Sequence, residues 1–117
     1  MVELKLKMKL YKNFLNSING IKISFKENSL ILELIGGIFL LPYLFFLQQS
    51  EYLKLLILTV YFFLLAFEIV NTSIEKLCDK ITNEHDLDIK RIKDLSSAAV
   101  FIVLLILIFL ITYTLFI

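Results

Sequence analysis

The chain has 117 residues, 59% hydrophobic and 14% aromatic, with a mean hydropathy of +0.85. A water-soluble domain of this length leaves too much surface exposed to hide that much apolar material, so the composition excludes an ordinary soluble enzyme. A formal net charge of +1 provides no field for nucleic acid, and no nucleic-acid partner is expected; the one cysteine excludes an internal disulfide and an all-cysteine metal site.

Taken in order, Leu4, Leu6, Met8 and Leu10 alternate with Lys5, Lys7 and Lys9, and over these few residues the pattern reads as strand. From Leu10 the apolar residues Leu10, Phe14, Ile18, Ile21 and Phe25 recur at spacings of 4, 4, 3 and 4, a helical stripe flanked by Lys12, Lys22 and Lys26. Residues 10–27 are expected to form an amphipathic helix in the membrane interface, its lysines toward anionic headgroups. Six lysines precede the first apolar run and no small-residue cleavage site lies near it, a pattern unlike a cleaved signal peptide.

Residues 30–47 are continuously apolar apart from Glu33, long enough for a membrane span. Gly36 and Gly37 allow another helix to approach closely, and Pro42 predicts a kink in the outer half. After a short polar turn at residues 48–51 comes a second span, residues 52–72, continuing as helix into water to about residue 80. Asp79 to Asp94 holds nine formal charges in sixteen residues and reads as an aqueous connector. The third span is residues 95–117, opening with the small residues Ser96-Ser97-Ala98-Ala99 and closing with Tyr113 at the far interface. The whole chain therefore reads as a single all-α membrane domain: a surface helix followed by three transmembrane helices.

Eleven of the twelve lysines and arginines lie before the first span or between the second and third; only Lys54 lies on the other side. The positive-inside rule then places the N-terminus and the charged connector in the cytoplasm and the C-terminus outside, as in a multi-pass protein of a bacterial inner membrane. At the cytoplasmic end of the second span, Glu68, Asn71, Glu75 and Asp79 follow spacings of 3, 4 and 4. On an α-helix they lie within roughly 80° of one another. A carboxylate at the inner end of a lipid-soluble run is expensive to keep, and is a functional-site candidate for that reason. Three carboxylates and a carboxamide on one face point to metal-assisted chemistry at a membrane surface.

The run Glu68-Ile69-Val70-Asn71-Thr72-Ser73-Ile74-Glu75, then Asp79, then fourteen residues on Lys93-Asp94 followed by Ser96-Ser97-Ala98-Ala99-Val100, resembles the prokaryotic integral-membrane diacylglycerol kinase family. Glu27 and Glu33, six residues apart before the first span, match as well, and the likeness covers essentially the whole chain. The resemblance implies a homotrimer that moves the γ-phosphate of ATP to a lipid hydroxyl. It implies Glu68 as the general base, Glu27 and Glu75 as magnesium carboxylates, and Lys93 as the lysine that meets the phosphates. Glu27, Glu75, Asp94 and the segment Glu84-His85-Asp86 match nucleotide-side positions, Asn71 would hold a phosphate oxygen or orient a carboxylate, and Asp79 would support the stripe. Glu33, Glu68 and Ser97 match positions near the lipid substrate. Where the family usually reads Ala-Ala-Phe-Arg-Gln-Glu, this chain has Asn28-Ser29-Leu30-Ile31-Leu32-Glu33, so Ile31 and Leu32 replace an arginine and a glutamine.

Diacylglycerol is the substrate this resemblance favours, because a serine precedes Ala98-Ala99; undecaprenol, used by a related branch, is the alternative. No P-loop or glycine-rich kinase loop is present in a chain with three glycines. A small proton-coupled multidrug exporter would share the length and an acidic residue in the first span. It would have four spans and no need of Glu75, Asp79, Lys93 and Asp94. A purely structural membrane protein would explain the hydrophobicity and leave the stripe without a purpose.

Overall fold

The computed structural model describes residues 1–117 as four helices and no strand: α1 Val2–Ser24, α2 Asn28–Phe46, α3 Glu51–Ile81 and α4 Leu87–Phe116. Three of them, α2, α3 and α4, are long and apolar enough to cross a membrane. They run antiparallel in sequence order, and the molecule is a slab of 51 × 48 × 22 Å.

The strand expected over Leu4–Leu10 is overturned: these residues are the first turns of α1. Leu6, Lys7 and Leu10 fall outside the two stripes formed by the rest of the segment, which joins the longer helical pattern. At about 100° per residue, Lys5, Lys9, Lys12 and Asn16 share one stripe, and Leu4, Met8, Tyr11, Leu15 and Ile18 share another. Almost every residue of α1 is exposed, and only Ser24 at its end is buried. A helix with an uncovered apolar stripe beside a lysine stripe suits the boundary between headgroups and acyl chains.

The charged segment before the last span is also more helical than its composition suggests. Only residues 82–86 connect α3 to α4, which starts eight residues before the apolar run. Asp86 makes this start possible, its carboxylate accepting from the backbone N–H groups of Asp88 at 2.8 Å and Ile89 at 3.1 Å. Ion pairs one turn apart, Lys90–Asp94 and Arg91–Asp88, then line the first exposed turns. At the opposite end of the bundle Ser50 caps α3 through Leu53 N–H. α2 continues through Pro42 to Phe46.

Thirty-one residues of helix in α3 extend about 46 Å, well beyond a hydrocarbon core of about 30 Å. The excess, from Asn71 to Ile81, emerges beside the charged start of α4. Between the helices the core is Leu40 and Leu44 of α2, Ile57, Tyr61 and Leu64 of α3, and Leu107 of α4. Gly37 has a specific part here: a Cβ at that position would collide with the Tyr61 phenol ring. Gly36 faces open space. Toward the other end, Tyr43 and Thr114 share a hydrogen bond of 2.6 Å between their hydroxyls.

Candidate active site

The four residues of the acidic stripe emerge from the bundle in order. Glu68 and Asn71 are buried, while Glu75 and Asp79 are exposed on the part of α3 that leaves the apolar core. Glu68 is thus a carboxylate at the floor of a polar end that opens toward water. The carboxyl group of Glu33, on the second turn of α2, lies near it. Glu33 Oε2 is buried without a partner of its own. Tyr61 secures this part of α2 by donating its hydroxyl hydrogen to the Glu33 carbonyl at 2.9 Å. From Glu33 runs a groove of about 330 Å³, lined by Glu33, Gly36, Leu40, Tyr61, Leu64 and Leu107 among others. A half-buried carboxyl lining an apolar groove, with the buried Glu68 beside it, suits a ligand with a polar head and a lipid tail.

One turn further toward water, Asn71 ties three side chains together. Its amide donates to Glu75 Oε1 at 3.3 Å, and its carbonyl oxygen accepts from the Ser96 hydroxyl at 2.6 Å. The Lys93 carbonyl, 3.0 Å from the same hydroxyl, is that group's alternative acceptor. Lys93 donates its ammonium to Asp79 at 2.6 Å, so α4 is bridged to α3 by a charge pair directly above the Ser96–Asn71 bond. The Asp79 carboxylate holds the Lys93 ammonium above the ordinary lysine range. Lys93 therefore stays cationic at any physiological pH.

The profile of the family described as prokaryotic diacylglycerol kinase matches residues 15–116. A diacylglycerol kinase of Haemophilus influenzae is 34% identical over 90 residues, which are 75% of this chain and 75% of that protein. The chain belongs to the prokaryotic diacylglycerol kinase family. It is a kinase, and its family makes it a lipid kinase of the membrane. The exporter and the purely structural protein are thereby set aside.

Within this lipid kinase, the remaining residues that the resemblance singles out are spread more widely. Glu27, in the turn between α1 and α2, is held by Lys76 of α3 at 2.9 Å. Glu84, His85 and Asp86 are exposed in the connector; Glu84 donates its N–H to Thr82 Oγ1 and Asp86 is occupied as the α4 cap. Asp94 is exposed and paired along its own helix with Lys90. Ser97 is exposed, whereas its neighbour Ser96 is the serine bonded to Asn71. Nowhere do three His, Cys, Asp or Glu side chains converge as a ready cage for a metal.

Ser96 and Lys76 are the site residues that sequence reasoning passed over. Ser96 carried a faint signal, three residues after Lys93 and so on the same face of α4. For Lys76 there was none, because its partner is far away in sequence and is reached only through the packing of the α1–α2 turn on α3.

Proposed function

We propose that this kinase transfers the γ-phosphate of ATP to the hydroxyl of diacylglycerol, giving phosphatidic acid, at the cytoplasmic face of a bacterial inner membrane. The observation that carries the reading is Glu68: a buried carboxylate beside Glu33, whose side chain lines an apolar groove, and one turn below a network of polar and cationic groups. A lipid alcohol entering along the groove would bring its hydroxyl to Glu68 while its tails remain among apolar side chains. Diacylglycerol is also the substrate in the name of the Haemophilus relative.

In this reading Glu68 accepts the proton of the lipid hydroxyl as its oxygen attacks phosphorus. Glu33 and Ser97 border the lipid headgroup. Asn71 and Ser96 keep Glu75 in place, and Lys93 meets the phosphates as a point charge. Asp94, Glu84, His85 and Asp86 stand on the nucleotide side, and Asp79 keeps Lys93 oriented between turnovers. Phosphoryl transfer needs positioning and charge neutralisation more than covalent help, and this set of residues is suited to that.

Magnesium is the cofactor we propose, with Glu27 and Glu75 as its carboxylates. The donor chemistry fits: magnesium takes one or two carboxylates and fills its other positions with phosphate oxygens and water, so no three-residue cage is required. Bound there, it would neutralise charge on the β- and γ-phosphates. Homotrimeric assembly belongs to the same proposal. Only 22%, 22% and 11% of the apolar windows of α2, α3 and α4 are buried within one chain, which leaves ample surface for other copies and lipid.

The test is phosphate transfer from ATP labelled at the γ-position, by purified protein in mixed micelles with magnesium, offering diacylglycerol and undecaprenol side by side. Labelled phosphatidic acid supports the proposal. Labelled undecaprenyl phosphate would overturn the substrate and keep the chemistry; label in neither lipid would overturn both.

A further inference from the structure

Glu27 does not stand free. Its carboxylate receives the Lys76 ammonium at 2.9 Å, the two side chains being 26% and 62% exposed. The pair forms one wall of a cavity of about 220 Å³ between the end of α1 and the C-terminal third of α3, where Ser24, Leu30, Thr72 and Ser73 also face. Four of the six ion pairs in the chain join residues three or four apart on one helix. Only Lys76–Glu27 and Lys93–Asp79 tie separate elements together. Both lie at the polar end, and both lysines follow the stripe of Glu75 and Asp79.

A carboxylate that serves a divalent cation is poorly placed to keep an ammonium at the same time, because two cations on one anion repel each other. The ammonium has to leave, and lysine's flexible four-carbon stem makes the movement easy. Asp79 is the other acid whose charge reaches Lys76, but it already holds Lys93 at 2.6 Å. The anion that arrives with the cation is a polyphosphate.

We propose, resting on the reading of Glu27 as a metal carboxylate, that Lys76 is a positioning residue that holds Glu27 until cation and nucleotide arrive together, then moves its ammonium onto the phosphates. An exposed lysine ammonium is charged near neutral pH, so the residue is cationic in either position. The cation alone must displace Lys76 with no new partner for it and binds weakly. With nucleotide present the displaced ammonium gains an anion, so the two ligands assist each other. No covalent step is involved.

The test uses the full chain in detergent micelles and manganese as a paramagnetic stand-in for magnesium, with binding read by electron spin resonance with and without ATP. Lys76 is surface-exposed, and Lys76→Met leaves no hole in the core. Without nucleotide, Lys76→Met is expected to bind manganese roughly three- to fivefold more tightly, the factor an ion pair of this exposure sustains. Its KM for ATP rises, the gain in manganese affinity on adding ATP shrinks, and Lys76→Arg restores all three. Unchanged manganese affinity in Lys76→Met, with weakened binding in Glu27→Gln, would overturn the role of Lys76 and leave Glu27 as a metal carboxylate. Binding unaffected by Glu27→Gln would overturn both.

Discussion

The two ends of this helical bundle are built on opposite rules. At the end bearing Pro42 and the α2–α3 turn, apolar side chains pack around Ile57, and the polar groups there are mutually satisfied, as Tyr43 and Thr114 are. At the other end, Glu33 and Glu68 face each other below Asn71, one buried carboxylate oxygen has no partner, and two lysines are held by single acids. In a medium where unsatisfied polar groups are costly, the first arrangement stabilises and the second does not. Cost without a structural return is what a working site looks like. Stability and chemistry are therefore separable here by position along α3.

That separation can be broken deliberately. Glu68→Gln keeps the volume and removes the proposed base; we expect turnover to fall by about 10²- to 10⁴-fold while size-exclusion profile and melting temperature stay unchanged. Retained activity would remove Glu68 from the base role. Gly37→Leu attacks the packing of α2 on α3, forcing Tyr61 from its place beneath Glu33; overpacking of this kind costs about 1–3 kcal/mol, readable as a lower unfolding midpoint in a denaturing-detergent titration. Glu75→Gln is expected to raise the magnesium concentration for half-maximal activity several-fold at fixed ATP, with little change in the unfolding midpoint. The smallest effect belongs to Tyr43→Phe. Losing one hydrogen bond between membrane helices costs about 0.6 kcal/mol, and the rate with saturating substrates stays that of the wild type.

Much of this division is legible in the sequence. Hydropathy alone locates three spans, because eighteen or more apolar residues have few other uses. The acidic stripe is legible because spacings of 3, 4 and 4 act within a single helix, where geometry follows directly from sequence. What escaped has a physical reason in each case. The strand read over Leu4–Leu10 fails because seven alternating residues are too short a run to outweigh the helical spacing that follows from Leu10, and α1 extends back through them. The early start of α4 was hidden because a charged, solvated helix has no apolar period to betray it, and its evidence is the Asp86 cap and two local ion pairs. The pairings of Ser96 with Asn71 and of Lys76 with Glu27 cross between elements, where packing decides and spacing is silent.

The most direct test of the account is to measure labelled-phosphate transfer to diacylglycerol and the unfolding midpoint on the same preparations of wild type, Glu68→Gln and Tyr43→Phe. The account predicts that Glu68→Gln loses the rate and keeps the midpoint, while Tyr43→Phe keeps the rate and lowers the midpoint slightly. If rate and midpoint fall together in Glu68→Gln, that carboxylate is holding the bundle rather than performing its chemistry, and the division between the two ends is wrong.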